Sequence, residues 1–373
     1  MDNQPHFNEL ARLLAGLGPA SAQDPYAQGR ATVMWQQHAH VLDDLFSKFE
    51  REYASPFSKW ARIHLREFRA LPTVFYPFSG PDFMFAHLLH PSAGTYLLGG
   101  LEICEAPTDA CASTFWGSRL ELLGELEAGI RHFLEHSFFV TAEMRHTFVT
   151  KRWNGILAPL LVFLARTGHE IVDVERLTVP QDQGSQRPGS STTGAVCIRA
   201  SFDGNPKQII YLQRHLRDDH CPASDAFYRF AGSFGPLGVF LKSASYLLHE
   251  PDFMHLRDFI FGHAACLVQD PSSMPYAALV ERGWRVRVHG RYQRTPRAFP
   301  QYEQRDLIRL CQKPGAVGPE LPFGFGYHSQ PGRASLMIAA PPVAAVITSN
   351  STRPRTTALS AALCPCWEAG ESA

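Results

Sequence analysis

The 373-residue chain lacks several features that would each have named a function. No apolar run approaches the ~20 residues that a membrane-spanning helix needs. "GILAPLLVFLA" (155–165) is too short, and "SLMIAAPPVAAVI" (335–347) is interrupted by Pro341 and Pro342. Net charge is also missing. With 35 Lys plus Arg against 35 Asp plus Glu, no global field draws nucleic acid or anionic lipid. Eight cysteines in a chain of this length make no disulfide framework, and no CxxC pair occurs. Cys364 and Cys366 form a CxC with no second Cys/His pair nearby, so neither a metal nor another cofactor is expected. No P-loop, GxSxG elbow or dinucleotide fingerprint appears. The start, "MDNQPHFNELARLLAGLG", has no basic segment leading into a continuous apolar one, so a cytoplasmic location is expected.

What is present reads as a globular α+β chain. Its composition is 45% apolar and 19% charged, enough for a sizeable core. Residues 1–70 read as a helical layer. "ATVMWQQHAHVLDDLFSKFEREY" (31–53) carries a helical apolar stripe, and Ser55 with Pro56 looks like a cap and first turn. Residues 71–340 read as an α+β core. "TVFYPF" is a strand, "GPDFMFAHLLH" a helix and "GTYLLGGLEI" a second strand. "HEIVDVERLTV", "GAVCIRASF" and "KQIIYLQRHL" are strands, the last two paired across "DGNP". Helices are expected near 223–234, 237–249 and 251–263, a strand at 265–269, a strand with basic residues on its wet face near 284–292, and a helix near 302–312. The stretch 180–194 reads as a mobile polar loop, and 341–373 as a poorly ordered tail. Mixed helices and hairpins predict a mixed or antiparallel sheet covered by helices. The tetrapeptide "PDFM" occurs at 81–84 and again at 251–254, each time opening a helical stretch before a short apolar strand.

Three places could carry chemistry. In "FSGPD", Ser79 or Gly80 lies near the cap of the coming helix and Asp82 in its first turn, where a carboxylate complements the dipole. The same Asp82 could serve as acid or base, with Ser79 touching the ligand. In "GVFLKSASYLLHEPDF" (238–253), read as a helix, Lys242, Ser245, Tyr246 and His249 share one face. Lys242 beside Ser245 follows the logic of Ser–Lys nucleophiles with the order reversed, and a solvated polar face is the plainer reading. In "QDPSSMPY" (269–276), Gln269, Asp270 and Tyr276 could bind a ligand at a strand end, or simply shape a rigid turn. "HAHVLDD" and "RDDHCPASD" have no metal-site spacing and read as solvated polar stretches, and "GFGYH" (324–328) as a turn.

"VFYPFSGPD", "YLLGGLE", "FLKSASYLLH" and "LPFGFGY", in this order, resemble a family of uncharacterised bacterial proteins, with likeness over about residues 9–340. That resemblance implies no activity and no catalytic residue. It implies an exported or lipid-anchored alternative to the cytoplasmic location, because similar proteins carry a signal segment before the "LAGL" motif.

Two functional readings are open. The first is a ligand-binding or cell-envelope-associated protein holding a small polar ligand near Asp82, Lys242 and Asp270. It requires an open apolar groove with no perturbed ionisable pair. The alternative is a hydrolase or transferase acting on a small polar or carbohydrate-like substrate, with Asp82, Lys242 and Ser245 as catalytic groups. It requires strand ends 73–78 and 265–269 to be neighbours, and Asp82 to lie within about 15 Å of Lys242. Neither reading includes nucleic acid or a transmembrane segment, and the sequence leaves the oligomeric state open.

Overall fold

A computed structural model describes residues 7–104, 122–136, 155–177 and 195–342. The polar loop 180–194, Cys364, Cys366 and the tail beyond residue 342 lie outside the described residues.

The fold is α+β around a ten-stranded mixed sheet. Its strands are β1 Thr73–Tyr76, β2 Thr95–Gly100, β3 Glu170–Leu177, β4 Ala195–Phe202, β5 Asn205–Gln213, β6 Leu237–Leu241, β7 Ala264–Gln269, β8 Arg285–Gly290, β9 Val317–Gly318 and β10 Ser335–Ala340. Their spatial order is β3-β4-β5-β2-β1-β6-β7-β10-β8-β9. The five central strands, β5 to β7 in that order, run parallel. Antiparallel pairs flank them on both sides. Parallel strands need crossovers that cover both faces, so these strands must be apolar throughout. "TVFY" and "LGVFL" meet that requirement, with every residue of β1 and β6 buried.

Helices cover both faces. The described ones are α1 Phe7–Leu14, α2 Ala27–Arg30, α3 Val33–Phe49, α4 Ser55–His64, α5 Arg66–Arg69, α6 Phe83–Leu89, α7 Leu123–His136, α8 Leu157–Arg166, α9 Ala226–Gly232, α10 Met254–His263, α11 Tyr276–Glu281 and α12 Arg305–Cys311. Strand alternation sorts the core in two. Val74, Tyr76 and Phe240 join Phe57 of α4, Phe85 of α6 and Phe133 of α7 on one face. Phe75, Val239 and Leu241 join Phe227 of α9 and Ile260 of α10 on the other. Each fully buried Phe contributes about 1.5–3 kcal/mol. No helix among the described residues is long and apolar enough to cross a membrane.

Two expectations are corrected. Residues 237–249 are not a helix: they form β6, an irregular turn and one 3-10 turn, Leu247–His249. A strand buried on both faces has no polar alternation, so its apolar run imitates a helical stripe. Ser55 is not a cap either. The chain runs helically from Val33 to His64 through a π-helical turn, Glu50–Ala54. Pro56 cannot donate to the Glu52 carbonyl and its ring would collide with it, which the wider π turn relieves.

Both "PDFM" copies sit in strand–helix–strand units. The chain leaves β1 through α6 to reach β2, and leaves β6 through α10 to reach β7. Helix α6 lies on one face and α10 on the other. Since β1 and β6 are neighbours, their C-terminal ends splay to opposite faces, which opens a crevice between them.

Candidate active site

The crevice is a cleft of about 580 Å³. Asp82, Lys242, Ser79 and Ser245 line it, together with Tyr76, Phe78, Glu102, Ser243, Phe299 and Tyr327. At its floor Lys242 Nζ lies 2.7 Å from Asp82 Oδ2, with both side chains at most 2% exposed. The enzyme reading's distance requirement is met. Its other requirement is not, because β6 lies between β1 and β7.

Asp82 is the N-cap of α6 rather than a first-turn residue. Its Oδ1 accepts from the Phe85 backbone N–H at 3.1 Å, and its Oδ2 accepts from the Tyr76 hydroxyl at 3.0 Å. Lys242 is the residue after β6. Period-two alternation sends it to the same face as Phe240, beneath α6. Its ammonium lies 3.2 Å from the centre of the Phe85 ring and 5.4 Å from that of Phe133, a cation–π environment. Nζ makes its polar contact with Asp82 and has no other acceptor among the described residues.

Burial disfavours both charges. Lys242 is lowered to about 8, chiefly by desolvation, with the Asp82 and Asp270 carboxylates pulling it back up. Desolvation likewise raises the Asp82 carboxyl above its ordinary value, opposed mainly by Lys242 and then by its hydrogen bonds. Tyr53, from the π-helical turn, brings a buried hydroxyl close enough to Asp82 to feel its charge, and that hydroxyl has no hydrogen-bond partner among the described residues.

The turn after β6 is strained. Ser243, Ser245 and Tyr246 all have positive φ, at 53°, 51° and 58°. Non-glycine residues in that region cost about 1–3 kcal/mol each and cluster at functional sites. The Ser243 hydroxyl is buried without a hydrogen-bond partner among the described residues. Ser245 does not pair with Lys242. Its hydroxyl meets the Tyr327 hydroxyl at 2.8 Å, and Tyr327 in turn donates to the Ser243 carbonyl at 3.1 Å. The Ser–Lys idea therefore has no geometric basis. Ser79 lines the cleft with its hydroxyl committed to the Gly80 and Gly99 carbonyls and the Gly99 N–H.

The remaining sequence candidates lie off the cleft lining. Asp270 is fully enclosed. Its Oδ1 accepts from the Ser272 and Ser273 hydroxyls at 2.7 and 2.9 Å, and a Cβ at Gly326 would fall 2.1 Å from its Oδ2. Burial raises its carboxyl too. Gln269 braces the same turn by exchanging hydrogen bonds with Met274. Tyr246 stacks on Tyr302, while His249 and Tyr276 line a separate hollow around Tyr302. The helical face expected to unite Lys242, Ser245, Tyr246 and His249 does not exist.

Glu102, Tyr327 and Ser243 escape the sequence reading. Glu102 is 5% exposed, and Tyr211 donates to its carbonyl at 3.0 Å and its carboxylate at 3.3 Å. The available signal is "GGLE" at the end of β2. A Cβ at Gly100 would fall 2.4 Å from Glu102 Oε2, so a side chain there would displace that carboxylate. Of the two metal-like stretches, His40 and Asp44 form an exposed pair, and Asp218 accepts from the backbone N–H groups of Met254 and His255. Among the described residues no group of three or more His, Cys, Asp or Glu is placed to hold a metal.

The crevice between the parallel strands thus holds a buried Asp82–Lys242 ion pair at its floor. No protein-family model, curated protein or solved structure matches the chain.

Proposed function

We propose that the chain is an enzyme acting on a small polar substrate, by transfer or hydrolysis, with Asp82 and Lys242 as its acid–base pair. The observation that carries this reading is the 2.7 Å contact between two buried, oppositely charged groups at the floor of a cleft. Burial raises the Asp82 carboxyl and lowers the Lys242 ammonium, which brings the two groups closer in proton affinity. The apolar groove which the binding reading requires is here floored by charge. Asp82 and Glu102 set two carboxylates against one ammonium in the lining, which favours an uncharged, hydroxyl-rich substrate over an anionic one. Tyr76, Phe78 and Phe299 supply apolar surface for its carbon skeleton.

The test is a thermal-shift screen of hydroxylated metabolites and short glycans, with NMR detection of turnover for each stabilising compound. The expected result is stabilisation that depends on Lys242, and turnover abolished in Asp82→Asn. Compounds that bind in a Lys242-dependent manner with no turnover would replace this reading with plain ligand binding. That second reading is favoured by the aromatic wall alone.

A further inference from the structure

Lys242 differs from the other described lysines in what its amine meets. Lys48, Lys59 and Lys313 are exposed. Lys207 donates to the Pro91 and Ala93 carbonyls at 3.0 and 2.8 Å. Lys242 alone follows a central parallel strand into a cleft, packed on the Phe85 face, with the Asp82 carboxylate beside it and no other acceptor among the described residues. Lys207 commits its protons to two carbonyls, whereas Lys242 has the Asp82 carboxyl group, 2.7 Å away, as its one close polar neighbour among the described residues. An amine in an apolar niche next to a carboxyl group has the surroundings of a covalent nucleophile, in which desolvation frees the lone pair and a neighbouring acid handles the oxygen.

We propose that the Lys242 amine condenses with the carbonyl group of a small uncharged hydroxy-aldehyde or hydroxy-ketone bound in the cleft, forming an imine. This rests on the acid–base reading of the same site and names its substrate class. The steps balance without an oxidant or reductant. The Lys242 ammonium passes one proton to the Asp82 carboxylate. The freed lone pair forms a C–N bond while the carbonyl π pair moves to oxygen, and a proton shifts from nitrogen to that oxygen to give the carbinolamine. Nitrogen then forms the C=N bond as the C–O bond breaks, and Asp82 returns its proton to the departing hydroxyl, which leaves as water. Ammonium plus carbonyl becomes iminium plus water, and the Asp82 carboxylate faces a cation at both ends of the sequence. Tyr76, bonded to the same Asp82 oxygen, holds the carboxyl in place. The two carboxylates of the lining disfavour keto acids and phosphorylated sugars.

The test is reductive trapping on the full chain. Glycolaldehyde, dihydroxyacetone and pyruvate are each incubated with it and cyanoborohydride, and the adducts are mapped by peptide mass spectrometry. With glycolaldehyde or dihydroxyacetone, Lys242 is expected to be modified about tenfold faster than Lys48, Lys59 or Lys313 at pH 8, and pyruvate to react slowly. Asp82→Asn should slow Lys242 by about tenfold and leave the three exposed lysines unchanged, while buried Lys207 stays protected, an internal control for folding. Adducts confined to exposed lysines would overturn the imine. If the same two compounds still raised the melting temperature in a Lys242-dependent manner, the acid–base cleft would survive that failure. If they gave neither adduct nor stabilisation, and the wider screen gave no ligand, both would fall.

Discussion

The two "PDFM" segments share four residues and part company at the aspartate. In the first, Asp82 is 2% exposed, caps α6 and meets Lys242. In the second, Asp252 sits in a 3-10 turn, half-exposed, and pairs with Arg217 at the surface. The phenylalanines behave alike, Phe83 and Phe253 both being buried. The methionines do not, since Met84 is 2% and Met254 49% exposed. The tetrapeptide thus precedes a helix in two places by different local chemistry: Asp82 caps α6 itself, whereas the first N–H groups of α10 donate to Asp218. The fate of its aspartate is decided by the chain between it and the preceding strand. Asp82 comes directly off β1 into the crevice, whereas β6 and Asp252 are separated by the strained turn and the Leu247–His249 turn, which carry Asp252 out to solvent.

The comparison can be broken by substitution. Asp82→Ala should show the largest effect, about 3–5 kcal/mol of lost stability in urea unfolding, because it strands a buried ammonium and removes a helix cap together. Lys242→Met should cost less, about 2–3 kcal/mol, since the Asp82 carboxyl that remains can take up a proton instead of staying charged. That variant should also be more stable at pH 5 than at pH 8 relative to the native chain. Asp252→Ala, the matched control, should change stability by at most about 1 kcal/mol, as for other exposed ion pairs. Equal losses at Asp82 and Asp252 would erase the distinction.

Histidines sharpen the same contrast. His87 of α6 is buried, its Nδ1 without a hydrogen-bond partner among the described residues, its ring 4.7 Å from those of His169 and Phe202. Desolvation, with help from His169, lowers it to about 3, and desolvation lowers His169 to about 4. Unfolding restores ordinary histidine values, so the unfolded chain binds more protons between those limits. Stability is therefore full above pH 6.5 and falls as pH drops toward 3. By pH 5 each histidine should cost about 2 kcal/mol. His87→Phe should flatten the acid limb of a denaturation–pH profile, while an unchanged slope would remove His87 as its source. His263, exposed at the end of α10, offers the matched control site for that substitution. A smaller effect on stability is expected of Gly100→Ala, whose Cβ would displace Glu102 and the Tyr211 hydroxyl. It should weaken ligand binding while leaving most of the fold intact, as seen by thermal shift and circular dichroism.

Much of this arrangement is legible in the sequence. β1, α6 and β2 are delimited by a strand run, Gly80–Pro81 and a second strand run, and β4 and β5 pair across Asp203–Gly204 as expected. The meeting of Asp82 with Lys242 is legible too, but through a wrong element. Leu237–Leu241 is apolar at every position because both faces are covered, and the spacing of Lys242, Ser245 and Tyr246 imitates a helix where three left-handed residues in fact fold the chain back. β10 is hidden because its apolar run continues into Pro341 and the residues beyond. Glu102 and Tyr327 reach the cleft through tertiary packing alone, and only the glycines beside them hint at close approach.

The most direct measurement is an NMR titration of the lysine side chains in the full chain, with Lys242 assigned by its loss in Lys242→Met. The account predicts that Lys242 titrates near pH 8, well below an ordinary lysine, and that Asp82→Asn lowers it further. A Lys242 that titrates near the ordinary value of about 10.4 would contradict the claim that the floor of this cleft holds a reactive acid–base pair.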